Sequence, residues 1–123
     1  MGTLAIVAGL LLAQGTPTIV AEGPQADAVE VGYVALSQGN PAEAIARISA
    51  NPRLGDDPAA LINLGTAHAR LGNSERAHGY YRAAIVSHDR YDLQLSDGSW
   101  MDSRAAAREA ISRVGRTEML AVR

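Results

Sequence analysis

A glycine pattern recurs along this chain at a fixed step of 33 residues. Gly32-x6-Gly39-Asn40-x3-Ala44 is answered by Gly65-x6-Gly72-Asn73-x3-Ala77, so that three separate offsets agree. A recurrence of that length marks a chain assembled from stacked copies of one supersecondary unit. The unit is long enough for two helices and a short turn, and the small residues fall where helices must touch. Gly65 and Ala77 let the two helices of one hairpin approach, Leu61 and Leu64 fill the gap between them, and Gly72 closes the first helix in a left-handed cap.

The helix signals agree with this spacing. Asn40-Pro41-Ala42-Glu43 reads as an N-cap, a proline at the first helical position and a capping-box glutamate. Asp57-Pro58 opens the next helix in the same way, and Pro24 sits at a first-turn position. The pattern predicts helices near 25–38, 41–50, 58–71 and 74–88. The apolar residues are mainly Ala and Leu, with no Phe and only 4% aromatics. Small side chains favour close helix packing, and Ala is the best helix former.

The second copy, Pro58 to Asp89, resembles the tetratricopeptide family: Leu61, Leu64, Gly65, His68, Gly72, Ala77, Tyr81 and Ala84 stand at its signature spacing. His68 replaces the usual Tyr and Asp89 the usual Pro. The first copy is more degenerate; Ala28, Val31, Gly32, Ala35, Gly39, Ala44 and Ile48 keep the pattern, while Asn51 replaces a small residue. The resemblance covers about half the chain. It implies an all-α fold of tandem antiparallel helical hairpins, a fragment of an α-solenoid, with repeats at 25–56 and 58–89.

Repeat arrays need their ends covered. Residues 102–114 are suited to that: Asp102 or Ser103 caps a helix with Ala106, Ala107, Ala110, Ile111 and Val114 along one side. Arg104, Arg108 and Arg113 line the other side, and Glu109 with Arg113 forms a favourable i,i+4 pair. Residues 115–123 read as a tail. Between the second hairpin and this cap lies an insertion at 91–101. Tyr91, Leu93 and Leu95 alternate with polar residues, Asp97-Gly98 signals a hairpin turn, and Trp100 follows. Trp100 either anchors a partner or plugs the end of the helical stack. A lone two-stranded hairpin is barely stable unless it packs on something, which favours the plug.

Leu4 to Ala13 is an uninterrupted apolar run, too short for a bilayer span of ~20 residues but of the length of a secretory h-region. Residues 1–21 are therefore read as a signal peptide outside the fold, cut after Gly15 or after Ala21. The n-region, Met1-Gly2-Thr3, has no Lys or Arg. The competing reading is a buried first element of the domain, or a start site set too far downstream. Export implies a periplasmic or envelope-associated protein with no stable membrane span once mature; without it the chain is cytoplasmic.

Several chemistries find no support. A net charge of −2 argues against non-specific nucleic-acid binding. Absence of Cys removes disulfides, thiolate metal sites and cysteine nucleophiles. All 11 basic residues are Arg, scattered along helical surfaces. His68, His78 and His88 recur every ten residues, but that step does not form the i,i+4 pair of a zinc helix. No nucleophile elbow, P-loop or dinucleotide glycine motif is present. The expectation is a chain that is not an enzyme and takes no cofactor.

The tetratricopeptide resemblance further implies a concave groove, lined by the first helix of each hairpin, that holds a partner's peptide or helix. Carried onto this chain, the groove positions are Ala26, Val29, Tyr33 and Leu36, then Ala59, Ile62, Asn63, Thr66, Ala69 and Arg70. Some members clamp a partner's C-terminal carboxylate with Lys and Asn. Asn63 holds one such position, and Arg104 with Arg108 imitates the cationic pair of a third repeat. Val29 and Tyr33 stand where the first repeat's clamp residues belong, so the clamp is incomplete. The leading expectation is a non-catalytic adaptor for another protein. The alternatives are a self-associating homodimer module and an accessory small-ligand-binding subunit that uses Trp100.

Overall fold

The computed structural model describes the backbone at residues 19–20 and 26–122, and side chains from 32 to 114. The described chain is mostly helical. Helices α1 (Ala26–Ser37), α2 (Pro41–Ser49), α3 (Pro58–Arg70) and α4 (Ser74–Val86) follow one another through short connections, with a 3-10 turn at Pro52–Leu54, and a hairpin separates α4 from α5 (Ser103–Val122). A small antiparallel sheet in the order β1-β2-β3 consists of Ile19–Val20, Asp92–Leu95 and Trp100–Asp102.

The turns after α1 and α3 are built alike. The N–H of Gly39 donates to Leu36 O at 3.0 Å and that of Asn40 to Ala35 O at 2.9 Å; Gly72 and Asn73 donate to Ala69 O and His68 O at the same two distances. Both glycines have positive φ, +75° and +82°, the left-handed conformation of a Schellman cap. The helix crossings also correspond. A Cβ on Gly32 would sit 2.7 Å from Cδ1 of Ile48, and one on Gly65 would sit 2.5 Å from the Tyr81 ring. In each hairpin a glycine on the first helix receives a bulky side chain from the second.

Local capping differs between the two prolines. Asp57 accepts the N–H of Ala60 at 2.9 Å and caps α3 as expected. The capping box expected at Asn40 does not form. Glu43 accepts from the Asn40 side-chain amide at 3.2 Å and from Arg47 at 2.6 Å, the Asn40 N–H is taken by Ala35 O, and the Asn40 side chain accepts no N–H of the first turn. Asn51 opens the 3-10 turn by accepting the N–H of Arg53.

Packing centres on α3. It lies against α1, α2, α4, α5 and β1, and every residue from Pro58 to His68 is buried. A helix enclosed on all sides needs apolar or satisfied residues all round. Tyr81, Ala84, Leu93 and the stripe of Ala106, Ala107, Ala110 and Val114 complete the core, with Ile111 packed at its edge.

Three expectations are corrected. The final helix does not stop at Val114 but runs on to Val122, so the region read as a tail is helical. Gly115 costs about 1 kcal/mol against Ala but does not break a helix continued by good helix formers. Residues 19–20, assigned to a leader outside the fold, form β1 and pair with β2, Ile19 opposite Leu95 and Val20 opposite Gln94. The rest of that leader lies outside the described residues. The insertion folds as the expected hairpin with Gly98 at φ +89°, but Trp100 is not its plug. Leu93 pairs with Met101 and Gln94 with Trp100, and alternation along a strand sends these pairs to opposite faces. Leu93 is fully buried while Trp100 is 47% exposed.

Candidate functional site

The positions carried over as a partner groove are brought together, but they are enclosed. Tyr33, Leu36, Ala59, Ile62, Asn63 and Thr66 are all buried, and Ala69 and Arg70 are half-buried. Ala26 and Val29 lie outside the described side chains. The physical reason is closure by the chain itself: β1 lies against both α1 and α3, and α5 also packs on α3. The expected shallow open groove is therefore a covered face.

Several polar groups on this face are hydrogen-bonded within the protein. The hydroxyls of Thr66 and Tyr81 are 2.9 Å apart, and burial pushes the Tyr81 phenol up to about 12, against the opposing hydrogen bond from Thr66 and the charge of Arg70. A guanidinium N–H of Arg70 donates to Leu36 O at 2.9 Å, joining the end of α3 to the end of α1. Burial lowers the Arg70 pKa and raises that of Tyr33. His68 stacks on Tyr80 with ring centroids 5.4 Å apart, and burial, helped by Arg76, lowers its pKa.

The carboxylate clamp is not assembled. Asn63 is buried in α3, and Arg104 turns inward to donate to Ser87 O at 3.1 Å. Arg108 is exposed. His78 is partly buried in α4, and His88 lies beyond α4, 3.7 Å from the exposed carboxylate of Asp56. The three histidines do not converge on one element.

A second polar cluster was not anticipated. Ser87 ends α4 in an extended conformation, two residues earlier than expected, and donates to Asp56 O at 2.6 Å. The Tyr91 hydroxyl donates to Asp57 Oδ1, and Tyr91 and Ser103 pair through their backbones at 3.0 Å. Burial raises the Tyr91 pKa, and the hydrogen bond to Asp57 adds to it. Arg90 donates to Asp102 at 2.8 Å and holds its carboxyl below the usual range, while Asp102 also accepts the N–H of Ala105 at the start of α5. The cluster joins the start of α3, the end of α4, the flap and the start of α5. Apart from the cap on Ala105, the bonds that link one element to another join residues 12 to 34 apart, so no short motif could reveal the cluster.

At the flap tip, hydrogen bonding from Ser99 holds the Asp97 carboxyl below its ordinary value. The large apolar side chains left exposed among the described residues are Val34, Leu71, Val86 and Trp100. Among those residues no helix is long and apolar enough to cross a membrane. No family model matches the chain, and no curated protein or solved structure matches it.

Proposed function

We propose that this chain is a non-catalytic scaffold of tetratricopeptide-like hairpins, an exported adaptor that docks a protein partner. The observation that carries the repeat reading is the recurrence of one crossing and one cap: Gly32 under Ile48 and Gly65 under Tyr81, with Gly39 and Gly72 each in a Schellman turn 33 residues apart. The docking face is that of α1 and α3. An extended segment of this chain, β1, already lies against it, and a partner's extended segment enters there by taking the place of β1.

The chain has no cysteine, so one engineered pair gives an unambiguous test. Ile19 and Leu95 are cross-strand partners. Antiparallel partners stand ~4.5–5.5 Å apart at Cα, within the range a disulfide spans. In an I19C/L95C variant, oxidation tethers β1. The expected result is that wild-type and reduced variant capture the same protein from envelope extracts, while the oxidised form does not. If the wild type recovers no reproducible partner, the adaptor reading fails. Capture unaffected by the tether places docking away from this face.

A further inference from the structure

We infer that the Asp97–Gly98 bond at the flap tip is a modification site, a latent point of aspartate isomerisation that the closed turn and the Ser99 hydroxyl hold shut. Asp followed by Gly is the pair in which a side-chain carboxyl is most readily attacked by the next backbone nitrogen, because Gly has no side chain to hinder the approach. The step needs only water. The Gly98 nitrogen loses its proton and bonds to Cγ of Asp97, while a carboxyl oxygen leaves as water, giving a five-membered cyclic imide. Water then opens that ring at either carbonyl. Attack at Cγ restores Asp97. Attack at the main-chain carbonyl breaks the original bond to Gly98, frees an α-carboxylate and routes the chain through Cβ and Cγ, which is isoaspartate. Mass and oxidation state are those of the starting chain.

Asp97, Gly98 and Ser99 are all exposed, so water reaches the pair. The turn withholds both reacting groups. The Gly98 N–H donates to Leu95 O at 2.9 Å and the Leu95 N–H to Ser99 O at 2.7 Å, closing a three-residue hairpin loop with Gly98 at φ +89°. The nitrogen must give up the first of these bonds before it attacks. Oδ1 of Asp97 accepts the Ser99 hydroxyl at 2.6 Å and the Ser99 N–H at 2.9 Å. Those bonds anchor the carboxyl on Ser99 and favour its ionised form, the hydroxyl contributing first. A carboxylate is the poorer electrophile, since it has no OH group to release as water. Isoaspartate at 97 would add one carbon to the main chain inside the loop that Leu95 and Ser99 close, and the turn that sets the pairing of Gln94 with Trp100 would be lost.

The test ages the full chain at neutral pH, folded in buffer and unfolded in guanidinium chloride, beside folded Ser99→Ala and Ser99→Thr. Trypsin cuts after Arg90 and Arg104, and fragmentation of the 91–104 peptide that distinguishes the two backbones gives the isoaspartate at 97. The unfolded wild type should accumulate it many times faster than the folded wild type. Folded Ser99→Ala should be several-fold faster than folded wild type, and Ser99→Thr, which keeps a hydroxyl, should stay at the wild-type rate. If circular dichroism shows Ser99→Ala unfolded, Ser99→Val takes its place, a good strand former that lacks only the hydroxyl of Ser99→Thr. An unfolded chain that gains no isoaspartate at 97, or a folded wild type that gains it as fast as the unfolded chain, overturns the inference. So does a folded variant without the hydroxyl that isomerises at the wild-type rate.

Discussion

The hydroxyl of Tyr91, at the foot of the flap, donates to the carboxylate of Asp57, the residue that caps α3. One carboxylate thus serves two masters in the fold: Oδ2 holds the first turn of the central helix, and Oδ1 holds the hairpin inserted after α4. Tyr91→Phe leaves Asp57 buried with one of these bonds unmade, at a cost of ~1–3 kcal/mol. Chemical denaturation should register that loss, and hydrogen exchange should find β2 and β3 less protected. A wild-type midpoint in Tyr91→Phe would mean that the contact contributes nothing to stability.

The same phenols make the protein sensitive to alkali. Tyr33, Tyr81 and Tyr91 all have raised pKa values in the fold, that of Tyr81 about 12. An unfolded Tyr ionises near ~10. Below that pH all are protonated in both states and their contribution is complete. As pH rises past it the unfolded chain gives up protons that the fold retains, so stability falls until the raised folded values are passed. Urea midpoints measured between pH 8 and 11.5 should decline at the upper end, and less steeply in Tyr91→Phe.

Two glycines at equivalent crossings should respond differently to Ala. At Gly65 the added methyl meets the ring of Tyr81, a fully buried side chain with no room to withdraw. Overpacking of this kind costs ~1–3 kcal/mol, more than the ~1 kcal/mol of helix propensity that Ala gains. At Gly32 the methyl meets the end of the flexible Ile48 side chain, so the two effects nearly cancel. Thermal unfolding of Gly65→Ala and Gly32→Ala should separate them; a Gly65→Ala protein at least as stable as wild type contradicts the argument.

The flap faces two ways. Leu93→Ala empties a fully enclosed site and should cost ~2–5 kcal/mol. Trp100→Ala, on the opposite face and 47% exposed, should stay within ~0.5 kcal/mol. Wild-type Trp fluorescence should be readily quenched by acrylamide. Strong protection from quencher would show Trp100 enclosed after all.

Acid should act through His68, whose pKa is lowered by burial and then by Arg76. Above its unfolded value of ~6.5 the imidazole is neutral in both states, and its contribution is complete. As pH falls below that value the unfolded chain takes up a proton that the buried ring resists. Stability is lost down to the lowered folded pKa and then levels off. His68→Phe keeps an aromatic partner for Tyr80 and should flatten the midpoint profile between pH 7 and 5; an unchanged slope assigns the acid response to other groups.

Much of the helical plan was legible because it is written in local chemistry. Gly39 and Gly72 adopt the positive φ that ends α1 and α3, Asp57 caps α3, and Asp97-Gly98 turns the flap, each decided by residues within a few positions. The candidate face was legible as a set of positions but not as a surface. Ile62, Asn63 and Thr66 carry no mark in sequence to say whether the chain itself returns to cover them. The same limit hid the roles of Ser87, Tyr91 and Arg104, whose partners are remote in sequence.

Sequence by itself determined the step of 33 residues, the helix and hairpin turns, and which side of the last helix is apolar, since these follow from backbone preferences and periodicity at short range. Only the tertiary structure decided that α3 is enclosed on every side, that Trp100 faces out while Leu93 faces in, and that Ile19–Val20 belong to the sheet. Burial and strand pairing depend on which distant segments meet, and that is a property of the assembled chain that no local pattern encodes.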